Sequence, residues 1–268
     1  MQPISTSAQT MKHHHLDTAD HRTTESDHSI RKLSLNTRVL QKTGSFPLRE
    51  QRGSRNFDRH LRKAQELRYQ VYCLEFGFLS PDDYPDGVES DEHDARAAHF
   101  YAFDAQLEVV GYVRLVRPDV DQRFPFQDHC ATSTGGVTLP APCHAAEISR
   151  LMVRHDYRRL RASWRTSTTT RPRNSIHSAD RRDAASQVLL SLYRQMYLFS
   201  RSNGIGHWYA AMEQPLARSL LRLKLTFQPI GPQTDYYGPV APYLANLHEL
   251  EAQVGAGDPA LLAWLQEA

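Results

Sequence analysis

The sequence predicts an α+β fold in which a central mixed sheet is flanked by helices. Three observations carry that expectation. Apolar residues recur at helical spacing from Phe57 to Phe78, β-compatible runs cluster between residues 99 and 153, and a helix, strand, helix, strand succession follows between residues 183 and 230.

In the first helix, Phe57, Leu61, Ala64, Leu67, Val71, Leu74 and Phe78 form one apolar stripe, which Gly77 and Pro81 end. Pro85, Asp86 and Gly87 then mark turns in an acidic loop over residues 81–94. Strands are expected over 99–103 and 108–116, joined through the polar Asp104-Ala-Gln. Residues 117–145, with four prolines and two adjacent glycines, read as a long connection to a strand over 146–153. That strand is unusual. Ile148, Leu151, Met152 and Val153 are β-compatible and apolar, yet Glu147 and Arg150 interrupt them, and charges beside a buried face are rarely left unpaired. Taken alone the two are best explained as a structural ion pair on a solvated face; the charged residues upstream change that balance.

An irregular, arginine-rich insert is expected over residues 154–182. A helix over 183–201 follows, with Val188, Leu189, Leu192, Met196 and Phe199 on one face and Asn203-Gly204 as its stop. A strand over 207–212, a helix over 214–223 and a short strand over 227–230 complete a βαβ-like unit. Helices over 242–254 and 259–267 close the chain. There is no internal repeat.

Residues 1–54 are rich in Ser, Thr, His, Arg and Gln without lasting periodicity and are expected to be a mostly disordered tail, leaving 55–268 as one domain. The adjacent His13, His14 and His15 are incidental there. Three cysteines, Cys73, Cys130 and Cys143, are too few and too irregular for a disulfide framework, so a reducing, cytoplasmic setting is expected. No apolar run approaches the roughly 18 to 20 residues that cross a bilayer, and the amino terminus lacks the apolar core of a secretion signal. His129-Cys130 and Cys143-His144 bracket a loop but fit no standard zinc spacing, so no metal is expected. The formal charge of +2 hides an uneven distribution, with acids over 82–94 and nine arginines over 154–182. Only Tyr157 and Trp164 offer stacking among those arginines, and no nucleic-acid partner is expected.

Arg68-Tyr-Gln-Val-Tyr72, Phe78, Glu89-Ser-Asp91-Glu-His-Asp94, Gly111-Tyr-Val-Arg114-Leu and Glu147-Ile-Ser-Arg150 together, over roughly residues 60–155, resemble the acyl-homoserine-lactone synthase pattern in order and spacing. The C-terminal half differs from those enzymes. Gly204-Ile-Gly-His-Trp208, Met212-Glu-Gln-Pro-Leu216 and Leu225-Thr-Phe-Gln-Pro-Ile-Gly231 are instead similar to the acyltransferases associated with the bacterial PEP-CTERM/exosortase system, relatives of N-acyl amino acid synthases. The resemblance implies a GNAT (acyl-CoA N-acyltransferase) fold with splayed central strands, an acyl-thioester co-substrate, no permanently bound cofactor, and an amine acceptor. Phe78 stands where lactone synthases generally carry tryptophan, which weakens any expectation of S-adenosylmethionine. The compact glycine-containing pyrophosphate loop of acetyl-CoA enzymes is absent after Val153, which favours acyl carrier protein over free CoA as the carrier.

On that resemblance Glu147, Arg150, Asp91 and Asp94 are the catalytic candidates, with Glu147 as the base that takes a proton from the attacking amine, directly or through water. Arg68, Tyr72, Phe78 and Arg114 are the substrate-binding candidates, with the alternating charges fixing the acidic loop over the acceptor. Asp91 or Asp94 is expected to meet an acceptor ammonium, and an arginine its carboxylate. Arg154, Arg158 and Arg159 are expected to dock an acidic carrier protein, since a cationic entrance speeds encounter with it. Tyr72, Phe76, Phe78, Phe100, Met152 and Met196 are candidates for an acyl tunnel, although helical spacing alone puts such residues in a core. Two rivals stand beside N-acyl transfer: acyl-homoserine-lactone synthesis from S-adenosylmethionine, and a non-catalytic acyl-carrier or lipid-binding protein on the same fold.

Overall fold

The computed structural model describes residues 45–46, 55–133, 136–158 and 176–267. Its strands are β1 (Ser45–Phe46), β2 (Ala97–Phe103), β3 (Val109–Val116), β4 (Ala145–Val153), β5 (His207–Met212), β6 (Gln228–Pro229), β7 (Thr234–Asp235) and β8 (Pro239–Asn246). Its helices are α1 (Arg55–Tyr69), α2 (His155–Arg158), α3 (Ile176–Ser202), α4 (Gln214–Arg222), α5 (Leu247–Gly257) and α6 (Pro259–Gln266), with short single turns between. The sheet runs β1-β2-β3-β4-β5-β8-β6, with β7 paired to β8.

β2, β3 and β4 form an antiparallel meander, β4 and β5 are parallel, and β5 and β8 are antiparallel, so the sheet is mixed as expected. Pairing between β4 and β5 runs only from Ala145↔His207 to Ile148↔Ala210, although β4 continues to Val153 and β5 to Met212. Beyond Ile148 the two strands part. Their facing edges there carry backbone N–H and C=O groups that no partner strand uses.

The two faces of the sheet differ in chemistry. On one, Phe100, Val113, Leu115 and Ile148 pack against Val188, Leu192 and Met196 of α3 and Leu250, Val254 and Leu265 of the last helices. Gly111 permits this contact: a Cβ there would lie 2.4 Å from Val188 and 3.3 Å from Leu192. On the other face, Ala64 and Leu67 of α1, with Val71 just beyond it, cover Tyr101, Phe103, Tyr112 and Met152. Farther along that face, Phe124, Phe126 and Cys130 from the long β3–β4 connection pack with Ala145, Tyr209 and Leu244. Charged groups lie between these two apolar clusters.

Several expectations are corrected. The stretch expected to be a helix from 242 is strand β8 up to Asn246, whose side chain then accepts from His248 and Glu249 N–H and caps α5. The expected βαβ-like unit is split: β8 lies between β5 and β6 and is antiparallel to both, which leaves β5 and β6 parallel but not neighbours. α3 begins at Ile176, so the irregular insert is shorter than residues 154–182, and Arg159 with the rest of 159–175 lies outside the described residues. The first helix is α-helical only to Tyr69 and then widens to a π turn over Gln70–Glu75. The wider turn shifts the phase of the stripe, and Leu74 is 61% exposed. Of the tail expected to be mostly disordered, Ser45 and Phe46 form a strand against Phe100 and His99 of β2, and residues 1–44 and 47–54 lie outside the described residues.

Candidate active site

Arg68 is in the last turn of α1, 0% exposed, with its guanidinium aimed at the acidic loop. It donates to Glu89 and, at 2.6 Å, to Asp94 Oδ1. Arg114 on β3 donates from both terminal nitrogens to Asp91, at 2.6 and 2.7 Å, and also to Asp94. Arg150 reaches Glu89 at 3.0 Å and Asp91 at 3.1 Å. Three guanidinium groups thus meet three carboxylates, and forked arginine–carboxylate contacts fix orientation as well as charge. The loop carries its own brace, since Asp91 accepts from His93 N–H at 3.0 Å while Asp94 accepts from Asp91 N–H at 3.2 Å.

Arg150 joins this cluster because of a local backbone irregularity. Strict alternation along β4 would send Glu147 and Ser149 to one face and Arg150 to the other. Tyr112 pairs with Met152 and Arg114 with Ser149, so three steps of β4 match two of β3, and Arg150 takes the left-handed φ of 55°. The bulge turns Arg150 towards the charged face. Its guanidinium then lies 4.9 Å from the Tyr72 ring centre and 5.4 Å from that of Tyr237.

Electrostatics divides the carboxyl groups. Burial alone would raise Asp91, but the Arg114 hydrogen bonds and the charges of Arg114, Arg150 and Arg68 outweigh it and hold Asp91 far below the usual range. Glu89 and Asp94 are lowered in the same way, against their burial, by Arg68 with Arg150 and Arg114 respectively. Glu147 is the reverse case. It is 3% exposed, its nearest hydrogen-bond donor is Phe126 N–H at 2.9 Å, and burial lifts it to about 7 against the pull of that bond and of the Arg114 and Arg150 charges. Of the residues selected from sequence, Arg68, Asp91, Asp94, Arg114 and Arg150 therefore share one cluster. Glu147 lies beside it on the same face, in a drier setting.

Tyr72 and Phe78 stand at the open side of this cluster, with ring centres 6.0 Å apart, and Phe76 stacks on Phe78 at 5.2 Å. Tyr237, next to Gly238 in the β7–β8 turn, meets Tyr72 edge-on at 5.7 Å. Phe100 and Met196, considered for an acyl tunnel, are instead buried in the core on the opposite face, and Met152 packs under α1. Arg154 pairs with Asp156 at 2.8 Å and Asp104 at 3.4 Å; Arg158 donates to the Val153 carbonyl, pairs with Glu75 and lies over Phe76.

The sequence reading left out Glu89, Tyr236, Tyr237, His99 and Glu213. Glu89 could have been found, since it opens the motif that contains Asp91 and Asp94; it is fully buried and joins Arg68 to Arg150. His99 accepts from Tyr112 O–H at 2.7 Å and donates from Nε2 to the Asp94 carbonyl at 3.1 Å, and burial lowers it to about 4. Tyr236 stacks on His129 at 4.1 Å. A separate cavity of about 290 Å³ near the start of β5, lined by Thr138, His207, Gln228, Asn246 and Glu249 among others, contains none of the residues selected from sequence. Among the described residues no group of three His, Cys, Asp or Glu side chains could hold a metal ion, and no helix is long and apolar enough to cross a membrane.

A mixed sheet whose central strands part, flanked by helices on both faces, is the GNAT fold. Residues 67–166 match the family model described as acetyltransferase (GNAT) domain. Solved structures with the same fold include the CoA-dependent acyl-homoserine lactone synthase BjaI with SAM and isopentyl-CoA, at TM-score 0.51 and 18% identity, covering 80% of this chain and 94% of that one. MesI, also a CoA-dependent acyl-homoserine lactone synthase, matches at TM-score 0.51 and 15% identity over 81% and 94% of the two chains. TofI, in a ternary complex with an inhibitor and MTA, matches at TM-score 0.50 and 17% identity over 76% and 93%. No curated protein matches the sequence.

Proposed function

We propose that the protein moves a fatty acyl group from a carrier-bound thioester, on acyl carrier protein or CoA, to the amine of an amino acid or a similar small acceptor. The observation that carries this reading is Glu147, a buried carboxyl held at about 7 on the strand that parts from its neighbour one residue later. A base poised near the working pH is what amine attack on a thioester needs. The nitrogen bonds to the carbonyl carbon, the carbon–sulfur bond breaks, and the proton shed by the nitrogen passes to Glu147, directly or through water, and on to the departing thiol. Backbone N–H groups on the parted edges of β4 and β5 supply the oxyanion's hydrogen bonds. Direct transfer of this kind requires no covalent acyl-enzyme.

In this reading Asp91, Asp94, Arg68, Arg114 and Arg150 hold the acidic loop and the reactants in register, while Tyr72 and Phe78 wall the acceptor side. Arg154 and Arg158 face the carrier and keep only the part of their charge that Asp104, Asp156 and Glu75 leave unbalanced; Arg159, outside the described residues, is assigned the same partner from its place in the sequence alone. The setting is cytoplasmic, and the motif likeness over residues 204–231 supports a link to the PEP-CTERM/exosortase system.

The test is to incubate the purified chain with long-chain acyl carrier protein or acyl-CoA and a pool of amino acids and to seek amides by mass spectrometry. Amide formed by the wild type and lost in Glu147→Gln is the expected result. Release of methylthioadenosine from S-adenosylmethionine would instead assign lactone synthesis, and tight carrier binding with no turnover on any amine would assign a binding protein.

A further inference from the structure

We propose that Glu213 receives a second positive charge on the acceptor, so that the acceptor is an amine with a cationic group away from its reacting nitrogen: a basic amino acid or a diamine. This rests on the amine-acylating reading above and names its substrate class.

The carboxylates of the central cluster are already engaged. Asp91 Oδ1 accepts from Arg114 and from His93 N–H, and its Oδ2 from Arg114 and Arg150. Asp94 Oδ1 accepts from Arg68 and Arg114, and its Oδ2 from Asp91 N–H. Glu89 is shared by Arg68 and Arg150. The cluster is balanced, three charges against three, and an ammonium approaching Asp91 or Asp94 would have to displace an arginine that already holds it. Glu147 is buried and, lifted to about 7, only partly ionised at neutral pH.

Glu213 differs from all of these. It follows the last residue of β5, where the central strands have parted, and its side chain is exposed. Among the described residues that side chain makes no hydrogen bond or ion pair, so no described group compensates its charge. A Cβ placed on Gly238 would stand 3.8 Å from Glu213 Oε1 and 3.5 Å from the Phe78 ring. Carboxylate and aromatic edge therefore approach the same small volume, which the missing side chain of Gly238 leaves open. A carboxylate beside an aromatic wall is a recognition arrangement for ammonium or guanidinium. Tyr237, the neighbour of Gly238, continues that wall to Tyr72.

Spacing separates this charge from the reacting nitrogen. Glu147 is in register with Tyr209 on β5, and Glu213 lies four residues farther along extended chain, about 13 Å at the usual strand rise. One nitrogen cannot serve both carboxyl groups, whereas an acceptor with two can. The plainer alternative is a solvated carboxylate favoured at the start of α4 by the helix dipole. That alternative predicts no dependence on acceptor charge.

The experiment compares lysine and ornithine with norleucine and glutamate as acceptors for the full-length protein, with one long-chain acyl thioester as donor. Wild type is expected to favour lysine or ornithine over norleucine in kcat/KM by about two- to fivefold, the size of one solvent-accessible ion pair. Glu213→Gln is expected to collapse that ratio mainly through KM, and Glu213→Lys to shift preference towards glutamate. Norleucine used as well as lysine by the wild type, or a ratio unchanged in Glu213→Gln, overturns the proposal while leaving amine acylation standing. Absence of acylation on every amine overturns the amine-acylating reading itself.

Discussion

Glu147 and Arg150 stand three residues apart on β4 and reach the same face of the sheet, because a bulge at Arg150 reverses the alternation between them. One side chain enters an apolar setting beside Phe126, and the other a ring of carboxylates and tyrosines. A single strand thereby presents a near-neutral acid and a permanently charged base within one site, and their contrast yields the first prediction.

Activity should rise with pH through an apparent pKa of about 7, as Glu147 ionises. Stability should move the other way. The folded value lies above the ordinary 4.5, so the stabilising protonated form is fully present below 4.5 and is lost as pH climbs through about 7. Glu147→Gln should cost about 100- to 10,000-fold in rate and should gain in thermal midpoint relative to wild type between pH 5 and pH 8. Rate profiles and thermal melts of the two proteins across that range check both halves.

Arg114→Met should cost about 3 to 5 kcal/mol, because it leaves Asp91 and Asp94 buried with one fewer charge partner. Arg114→Lys should recover little of this, since one ammonium cannot reproduce the two-pronged contact with Asp91. Urea unfolding of the two variants measures the difference.

His99 should remain neutral, as the Nε2–H tautomer, until about pH 4. Its folded value lies below the ordinary 6.5, so it withdraws stability as pH falls from 6.5 towards 4. Glu89, Asp91 and Asp94, all lowered, contribute stability above their unfolded values and lose it as pH falls through their folded ones. Acid sensitivity should therefore begin with the histidine and steepen with the carboxylates. A histidine NMR titration beside a circular-dichroism acid melt resolves the two stages.

Gly111→Ala should destabilise by about 1 to 3 kcal/mol through overpacking, since the added carbon would fall within 2.4 Å of Val188. Val188→Ala in the same chain should restore part of the loss, which a double-mutant cycle by chemical denaturation measures.

Much of the fold was legible because its signals are local. The stripe of Ala64, Leu67 and Val71 and the runs that became β2, β3 and β4 rest on periodicity alone. β8 was not, because Pro239 and Pro242 argue against a strand and the apolar residues beyond resemble a helical stripe. Asn246, three residues before Glu249, was the available sign of where the helix begins. At the site, ordered charges revealed the arginine–carboxylate cluster. The contributions of Tyr237, Gly238 and Glu213 were hidden, since their meeting depends on how the β7–β8 turn folds across the parted strands.

β1 bears on how the protein should be handled. Ser45 and Phe46 occupy the backbone groups of β2 beside Phe100 and His99. A shortened version beginning at α1 would lose β1 and leave β2 as an uncovered edge. A bare edge of this kind recruits strands from other molecules, so trimming the chain to begin at α1 would cost solubility.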